Sequence, residues 1–232
     1  LHVLGGIIGV RLGDLDRVVR ESEQALSVAQ VAGARSELGA AHRLLSVSAR
    51  GRGRLDSAME HCQRGIEVDQ GLSDLIALAK DYSNQGVIAL DMGNWQLAKE
   101  ADLKAIGILE RVGEKYQLAI TCCNLADKYR CLGDLAMGLD YARRGLDIFT
   151  RIGSSQGTIF AHTVLAPLFW RQGDLEQARA QLLKARELIE AQETTAFEPD
   201  VGRWLAQVYL AETDEMLTIR PPGRTSDAAC WS

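Results

Sequence analysis

Apolar positions along much of the chain recur at intervals of three and four residues, the spacing typical of an α-helix. One such segment runs from Ser73 to Met92, and its apolar and small residues form one stripe: Ile76, Leu78, Ala79, Tyr82, Gly86, Ala89 and Leu90. A second amphipathic segment, from Trp95 to Val112, begins directly after Gly93 and Asn94. Glycine readily adopts the left-handed conformation that ends a helix, and an asparagine oxygen can accept from the first amides of the next one. The pattern therefore predicts two helices joined by a tight turn.

This turn recurs through the chain at a fixed period. Glycines stand 40 residues apart at Gly13, Gly53, Gly93, Gly133 and Gly173. After these anchor glycines come capping residues, Asp14, Asn94, Asp134 and Asp174, with Arg54 expected to be a weaker cap. A second series marks the end of the second helix in each unit: Gly33, Gly113 and Gly153, with Ser73 in place of one glycine. A fixed period of this length predicts one helical hairpin stacked repeatedly.

Small residues mark where the predicted helices cross. Rows of them lie five and twelve residues after each anchor glycine and seven residues before it: Val18, Ala58, Ala98, Gly138 and Ala178; Ala25, Gly65, Ala105, Gly145 and Ala185; Gly6, Ser46, Gly86, Ala126, Ala166 and Ala206. Two helices approach closely only where no long side chain lies between them. We therefore expect these rows to be buried at helix crossings.

The same residues resemble the tetratricopeptide repeat family. The family pattern is matched where Leu125-Ala126 and Tyr129 precede Gly133-Asp134-Leu135, and where Gly93-Asn94-Trp95 precedes Ala98 and Ala105. The period of 40 exceeds the family's usual 34 residues, as in the long-repeat arrays of kinesin light chain and of bacterial regulators. The resemblance implies an all-α fold, a right-handed α-solenoid of stacked antiparallel helical hairpins.

Two further predictions concern the domain boundaries and one helix. We expect a repeat domain over residues 1–216, with a partial sixth unit from residue 199, and a disordered tail over 217–232 that contains Pro221 and Pro222. Pro167 falls inside a predicted first helix, where it removes one backbone hydrogen bond. It is expected to be a local bend, or alternatively to re-aim Phe169 and Trp170.

In arrays of this family the first helices line a concave face that holds a partner peptide or helix. Asn84 and Asn124 stand nine residues before successive anchor glycines, where the resemblance implies a ladder that binds a guest peptide backbone. Neighbouring register positions supply further candidate binding residues: Arg43, Arg50, Lys80, Lys128, Arg130, Trp170 and Arg203. They predict a groove with a basic lining, suited to acidic peptides or a C-terminal carboxylate. The alternative is a solvated face whose charges are balanced by Asp81, Asp127 and Asp200.

The common sequence motifs of catalytic and cofactor-binding sites are missing from the sequence. There is no phosphate-binding loop, no GxSxG and no HExxH, so we expect no enzyme activity, no cofactor and no metal site. Three of the four histidines, His2, His42 and His162, share one register position, one per repeat, and are expected to be packing residues. The cysteines form no CxxC pair, and most are expected to be buried thiols of a reducing, cytoplasmic compartment.

Net charge and hydropathy limit the kinds of partner that the sequence favours. A net charge of −5 and a pI near 5.5 argue against direct nucleic-acid binding. The apolar stretch from Leu1 to Val10 is too short to span a membrane. The sequence favours a non-catalytic scaffold for a protein or peptide partner, with end-to-end self-association possible through open terminal repeats. The alternative is a sensor or regulatory fragment of a larger bacterial transcription activator, signalling ATPase or cyclase, and a free-standing enzyme has little support.

Overall fold

The computed structural model describes residues 2–192, 194 and 197–216, and all regular secondary structure in this part of the chain is α-helical. Eleven helices are described: α1 (His2–Leu12), α2 (Leu15–Ala32), α3 (Arg35–Gly51), α4 (Leu55–Gln70), α5 (Leu75–Asp91), α6 (Trp95–Val112), α7 (Lys115–Leu132), α8 (Leu135–Arg151), α9 (Ser155–Gln172), α10 (Leu175–Ala191) and α11 (Glu198–Met216). The predicted all-α class is confirmed. The predicted tail over 217–232 lies outside the described residues.

The turns between the paired helices have the predicted geometry. All five anchor glycines adopt a positive φ, from 69° at Gly13 to 85° at Gly173. The residue after the glycine then caps the next helix, as where Asp14 Oδ1 accepts from the Arg17 amide at 2.9 Å. Arg54 makes no such side-chain bond, as expected. The hairpins turn within two or three residues because glycine supplies the conformation and, except at Arg54, the next side chain satisfies an orphan amide.

The turns between hairpins follow the second predicted series. Gly33, Gly113 and Gly153 have positive φ, and Ser73 adopts φ 58° where the register predicted a substitute for glycine. Ser73 is the one residue other than glycine with a positive φ in the described part of the chain. Because this conformation costs an L-residue about 1–2 kcal/mol, the turn rather than the residue type determines the backbone here.

The contacts divide the chain into two compact units, Leu1–Gln117 and Leu118–Ser232. In the first unit, each of α1 to α6 packs against the helices next to it in sequence. The first helices of successive hairpins also touch, α1 with α3 and α3 with α5. Within the second unit, α8 to α11 pack in the same sequential way, and α9 touches α11. Each unit is thus built of stacked antiparallel hairpins, as predicted, whereas one domain over 1–216 stays a prediction.

The predicted crossings are buried. Val18, Ala58, Ala98 and Ala178, which share one register position, are completely inaccessible to solvent. In the second unit, a Cβ added at Gly145 would lie 2.6 Å from Cys123 Sγ and 3.0 Å from the Ala119 carbonyl oxygen, so α7 and α8 approach closely there. Ala206 is the exception, being exposed on α11, because no helix pairs with α11 as its second helix in the described part of the chain.

Helix α9 continues through Pro167 to Gln172, and Pro167 itself is buried. The core around it contains large apolar residues of α9 and α10, among them Leu165, Leu168 and Leu182. In the first unit, Cys62 packs with Ile66 and Ile88, so this cysteine is buried as expected. None of the described helices is both long enough and apolar enough to cross a membrane.

Candidate functional site

The candidate site is the surface formed by the first helices of the hairpins, and it is described for each unit separately. In the first unit, the predicted binding residues lie on α3 and α5, whose adjacent faces are in contact. Arg43 on α3 donates through Nε to Asp81 Oδ1 on α5 and through Nη2 to Asp69 Oδ2 on α4, both at 2.5 Å. Arg43 therefore ties three helices together, and its guanidinium is already engaged by two carboxylates.

Arg50 and Asn84 also make bonds between α3 and α5. Arg50 Nε donates to Asp91 Oδ2 at 2.6 Å. Asn84 Nδ2 donates to Ser46 Oγ at 2.9 Å, and that hydroxyl donates to the Ala58 carbonyl oxygen at 2.8 Å. Both residues thus join successive repeats as well as lying on the first-helix face.

Lys80 is different from these residues because it is exposed on α5. Among the predicted cations of the first unit, its ammonium is the one for which the described structure shows no carboxylate within ion-pair distance. Of Arg43, Arg50 and Lys80, Lys80 is therefore the residue whose charge is best placed to attract an acidic partner.

In the second unit, Asn124, Lys128 and Arg130 lie on α7. Lys128 is 1% exposed, and its Nζ donates to the Asn124 carbonyl oxygen at 3.4 Å. Arg130 is also buried and donates through Nε to Asp127 Oδ1 at 2.7 Å. Lys128 and Arg130 are therefore packed into α7 and its surroundings, and they do not form the exposed basic lining that the register suggested.

Trp170 on α9 and Trp204 on α11 form an aromatic pair in the second unit. Their ring centroids are 5.9 Å apart and their planes meet at 62°, an edge-to-face arrangement. Both rings are partly buried against the core of this unit. Arg203 stands beside Trp204 and pairs with Asp200 at 3.1 Å, with both side chains exposed.

Sequence reasoning selected Trp170 but missed Trp204. The sequence did indicate Trp204. It stands nine residues before Thr213, which occupies the sixth anchor position, and so it shares a register position with Asn84 and Asn124. A second missed feature is an open depression of about 400 Å³ in the first unit, lined by Leu78, Tyr82, Leu103, Lys104, Gly107, Ile108 and Arg111. There, Lys104 Nζ lies 5.5 Å from the centre of the Tyr82 ring, a cation–π contact.

The acidic residues named in the alternative interpretation do pair with basic side chains, although Asp81 is buried and not solvated. Asp81, Asp127 and Asp200 pair with Arg43, Arg130 and Arg203, respectively. The first-helix faces are thus largely charge-balanced within each unit. Burial also raises the pKa of Asp81 to about 7, while Arg43 opposes that rise.

His42 and His162 are buried between helices, as expected, whereas the His2 side chain is 43% exposed, and His42 has a partner that the register did not show. His42 Nδ1 lies 3.2 Å from His61 Nδ1 on α4. His61 escaped notice because it falls on a second helix, outside the row shared by the other three. No group of three or more histidine, cysteine, aspartate or glutamate side chains suited to a metal ion occurs among the described residues.

Comparison with known proteins gives a match over part of the chain. Residues 123–191 match the tetratricopeptide repeat family model. This segment is therefore similar to tetratricopeptide repeats. Among curated proteins, no sequence matches the chain.

Solved structures with a similar fold include proteins with tetratricopeptide repeats. A putative kinesin light chain from Podosopora anserina with nearly identical TPR-like repeats has a TM-score of 0.64 at 14% identity, covering 83% of this chain and 95% of that one. A Rap protein complexed with Competence and Sporulation Factor has a TM-score of 0.66 at 15% identity, covering 90% and 63%. A Signal Transduction ATPase with Numerous Domains from Pyrococcus horikoshii, which carries a tetratricopeptide repeat sensor, has a TM-score of 0.68 at 14% identity, covering 91% and 33%.

Proposed function

We propose that this protein is a non-catalytic scaffold that binds a partner peptide or helix on the first-helix faces of its hairpins. The observation that carries the proposal is the Trp170–Trp204 pair, two large aromatic rings on neighbouring first helices that are only partly buried. Tryptophan dominates the binding energy of many protein interfaces because it buries a large apolar surface at low entropic cost. The shared fold with a Rap protein solved with Competence and Sporulation Factor adds support.

The asparagine ladder remains part of this proposal, with Asn84 and Asn124 as backbone-binding residues. An amide side chain offers both a donor and an acceptor, so it suits a peptide backbone of any sequence. Binding through Asn84 would draw on a side chain that already donates to Ser46. We therefore assign the larger share of the affinity to the tryptophan pair.

A preference for acidic partners has weaker support than peptide binding itself. Arg43, Arg130 and Arg203 are already paired with carboxylates, and Lys128 is buried. Lys80 is the cation best placed to meet an acidic side chain, and its removal should reduce any such preference.

A displayed random peptide library tests the proposal without a known partner. Peptides enriched on the wild-type chain are expected to bind at least ten times more weakly when Trp170 and Trp204 are both replaced by alanine. Asn84→Ala combined with Asn124→Ala should weaken binding less. Glu187→Ala is the matched control, because this exposed residue lies on a second helix, α10.

The results separate three cases. Loss of binding in the tryptophan variant, with binding retained by the control, supports the proposed face. Equal binding by all variants would place the peptide elsewhere and overturn the assignment to this face. If no peptide is enriched above the level seen with an unrelated protein, the peptide-binding function itself is wrong. Thermal unfolding of each variant shows whether a loss of peptide binding is caused by a loss of folding. The same measurement is made on Trp170→Phe, which keeps an aromatic ring at this position.

A second candidate function is that of a sensor segment in a larger bacterial regulator. It is favoured by the fold shared with the Pyrococcus horikoshii ATPase, of which this chain covers 33%. Determining the coding sequence on both sides of this segment tests it. A neighbouring nucleotide-binding or helix-turn-helix segment is the expected result, and a reading frame that holds the repeats alone would contradict this candidate.

A further inference from the structure

Three hairpins contain the same histidine contact. A histidine on the first helix meets a polar side chain exactly 19 positions later on the second helix, and in each case the histidine uses Nδ1. The pairs are His2 with Glu21 Oε2 at 2.8 Å, His42 with His61 Nδ1 at 3.2 Å, and His162 with Gln181 Oε1 at 2.8 Å. The contact therefore joins the two helices of one hairpin at a fixed register.

The second hairpin differs because both members of its pair are imidazoles. A carboxylate or amide oxygen can only accept the Nδ1 proton, whereas a second imidazole also offers a nitrogen ligand for a metal ion. Two nitrogens bound 2.0–2.1 Å from one tetrahedral zinc ion lie about 3.3–3.4 Å apart. The 3.2 Å between His42 Nδ1 and His61 Nδ1 is close to that separation.

The pair is accessible from one side. His42 is buried and His61 is only half-buried, so solvent reaches one side of the pair.

The charged groups around the pair leave no strong repulsion against a cation. The positive charge of Arg64 lowers the pKa of both rings, and that of Arg54 lowers the pKa of His61. The negative charges of Glu60 and Glu23 raise the pKa of His61, and Arg64 is itself paired with Glu60 at 2.6 Å. Two cations therefore face two anions.

We propose that His42 and His61 form a two-ligand site for a divalent transition-metal ion of the type that prefers imidazole, such as Zn²⁺, Ni²⁺ or Cu²⁺. The ion takes the place of the proton between the two Nδ1 atoms, in the tautomer that carries the hydrogen of each ring on Nε2. The ring planes now meet at 36°, and each ring has to rotate for both lone pairs to point at one ion. Water completes the coordination, since no third side-chain ligand converges within the described residues.

The chain supplies its own control for this proposal. His61→Gln converts the second hairpin to the pair found in the fifth, where Gln181 accepts from His162. The helix contact is kept and one metal ligand is removed. Conversely, Gln181→His gives the fifth hairpin the pair of the second.

Isothermal titration calorimetry with Zn²⁺, repeated with Ni²⁺, on the chelator-treated protein at pH 7.4 is the test. The wild type is expected to bind one equivalent of metal ion at this site. The affinity of His61→Gln for that equivalent should be at least ten times lower. Gln181→His is expected to bind one equivalent more than the wild type. The metal-free unfolding temperature of His61→Gln should stay close to that of the wild type, because the polar contact is preserved.

Equal Zn²⁺ binding by the wild type and His61→Gln would overturn the proposal, as would failure of the wild type to bind. If the variant does not fold, the nitrogen resonances of the wild-type imidazoles decide. Zn²⁺ should then shift Nδ1 of both His42 and His61, and unchanged Nδ1 resonances would show that the pair is only a hydrogen bond between helices.

Discussion

At the scale of single residues, Arg43, Asp69 and Asp81 form a largely buried charged cluster that joins three helices. One guanidinium serves two carboxylates that are each no more than 2% exposed. Asp81 Oδ2 has no hydrogen-bond partner in this buried setting. Burial therefore raises the pKa of Asp81 to about 7 from its usual 3.8. Between these two values the folded chain holds a proton that the unfolded chain has released.

The substitution Asp81→Asn tests this imbalance. In the wild type, Asp81 should lower the free energy of unfolding as pH rises from about 4 to about 7, by up to ~4 kcal/mol, because the folded pKa is the higher one. The asparagine cannot titrate, and its Oδ1 can still accept from Arg43. Urea unfolding across pH 4–8 should therefore show the variant gaining stability relative to the wild type as pH rises. Asp140→Asn, at an exposed position, is the control, and parallel profiles for the wild type and Asp81→Asn would contradict the prediction.

Residue register predicted which helix carries a side chain but not which partner it meets. Asn84 lies on the first helix α5, as the register indicated, yet its bond to Ser46 depends on how closely α3 and α5 approach. Lys128 was expected in an exposed basic lining, but it is 1% exposed and its Nζ donates to the Asn124 carbonyl oxygen one turn earlier on α7. Such outcomes depend on side-chain conformation, which periodicity does not contain.

At the scale of helices, close crossings depend on glycine where the neighbouring helix presents its backbone. A Cβ at Gly145 would lie 3.0 Å from the Ala119 carbonyl oxygen and 2.6 Å from Cys123 Sγ. Gly107, on α6, has no such neighbour within 4 Å of its added Cβ. Substitutions at these two glycines therefore distinguish the effect of packing on stability from the effect of helix propensity.

Replacing each of these glycines with alanine should have opposite effects. Gly145→Ala is expected to lower the free energy of unfolding by about 1–2 kcal/mol, because overpacking outweighs the gain in helix propensity. Gly107→Ala should raise it by about 0.5–1 kcal/mol, since only the propensity changes. Guanidinium unfolding at constant pH measures both. An increase in stability for Gly145→Ala would show that α7 and α8 can move apart at little cost.

The helices themselves were the most predictable part of the fold. The segment Trp95–Val112 is α6 to the residue, because Gly93-Asn94 begins it and Gly113 ends it with local chemistry alone. The turn at Ser73 was also located, although its residue type disfavours the conformation, because the period required a turn there. Short-range signals and a strict period therefore suffice for the elements, whereas contacts between them require the three-dimensional arrangement.

At the scale of the whole molecule, a repeat array should respond locally to damage. In such arrays each hairpin is stabilised mainly by its neighbours, so a disturbance spreads over one or two hairpins rather than the full chain. The sequential packing within each unit has this character, because helices contact the next one or two in the chain. The sequence predicted this order of packing from its period, but the division at Gln117 and Leu118 left no mark in the 40-residue pattern.

Hydrogen–deuterium exchange of two register-equivalent variants tests this locality. Gly65 and Gly145 occupy the same position in the second and fourth hairpins. A Cβ at Gly65 would lie 3.1 Å from Asp81 Oδ2 on α5, just as one at Gly145 would press on α7. Gly65→Ala should therefore speed amide exchange in α3, α4 and α5, and Gly145→Ala in α7, α8 and α9. Each variant should leave the other set of helices at wild-type rates, because no strained contact reaches them. Uniform acceleration over all helices in either variant would mean that the chain opens as one cooperative body, and the nearest-neighbour account of its stability would then be wrong.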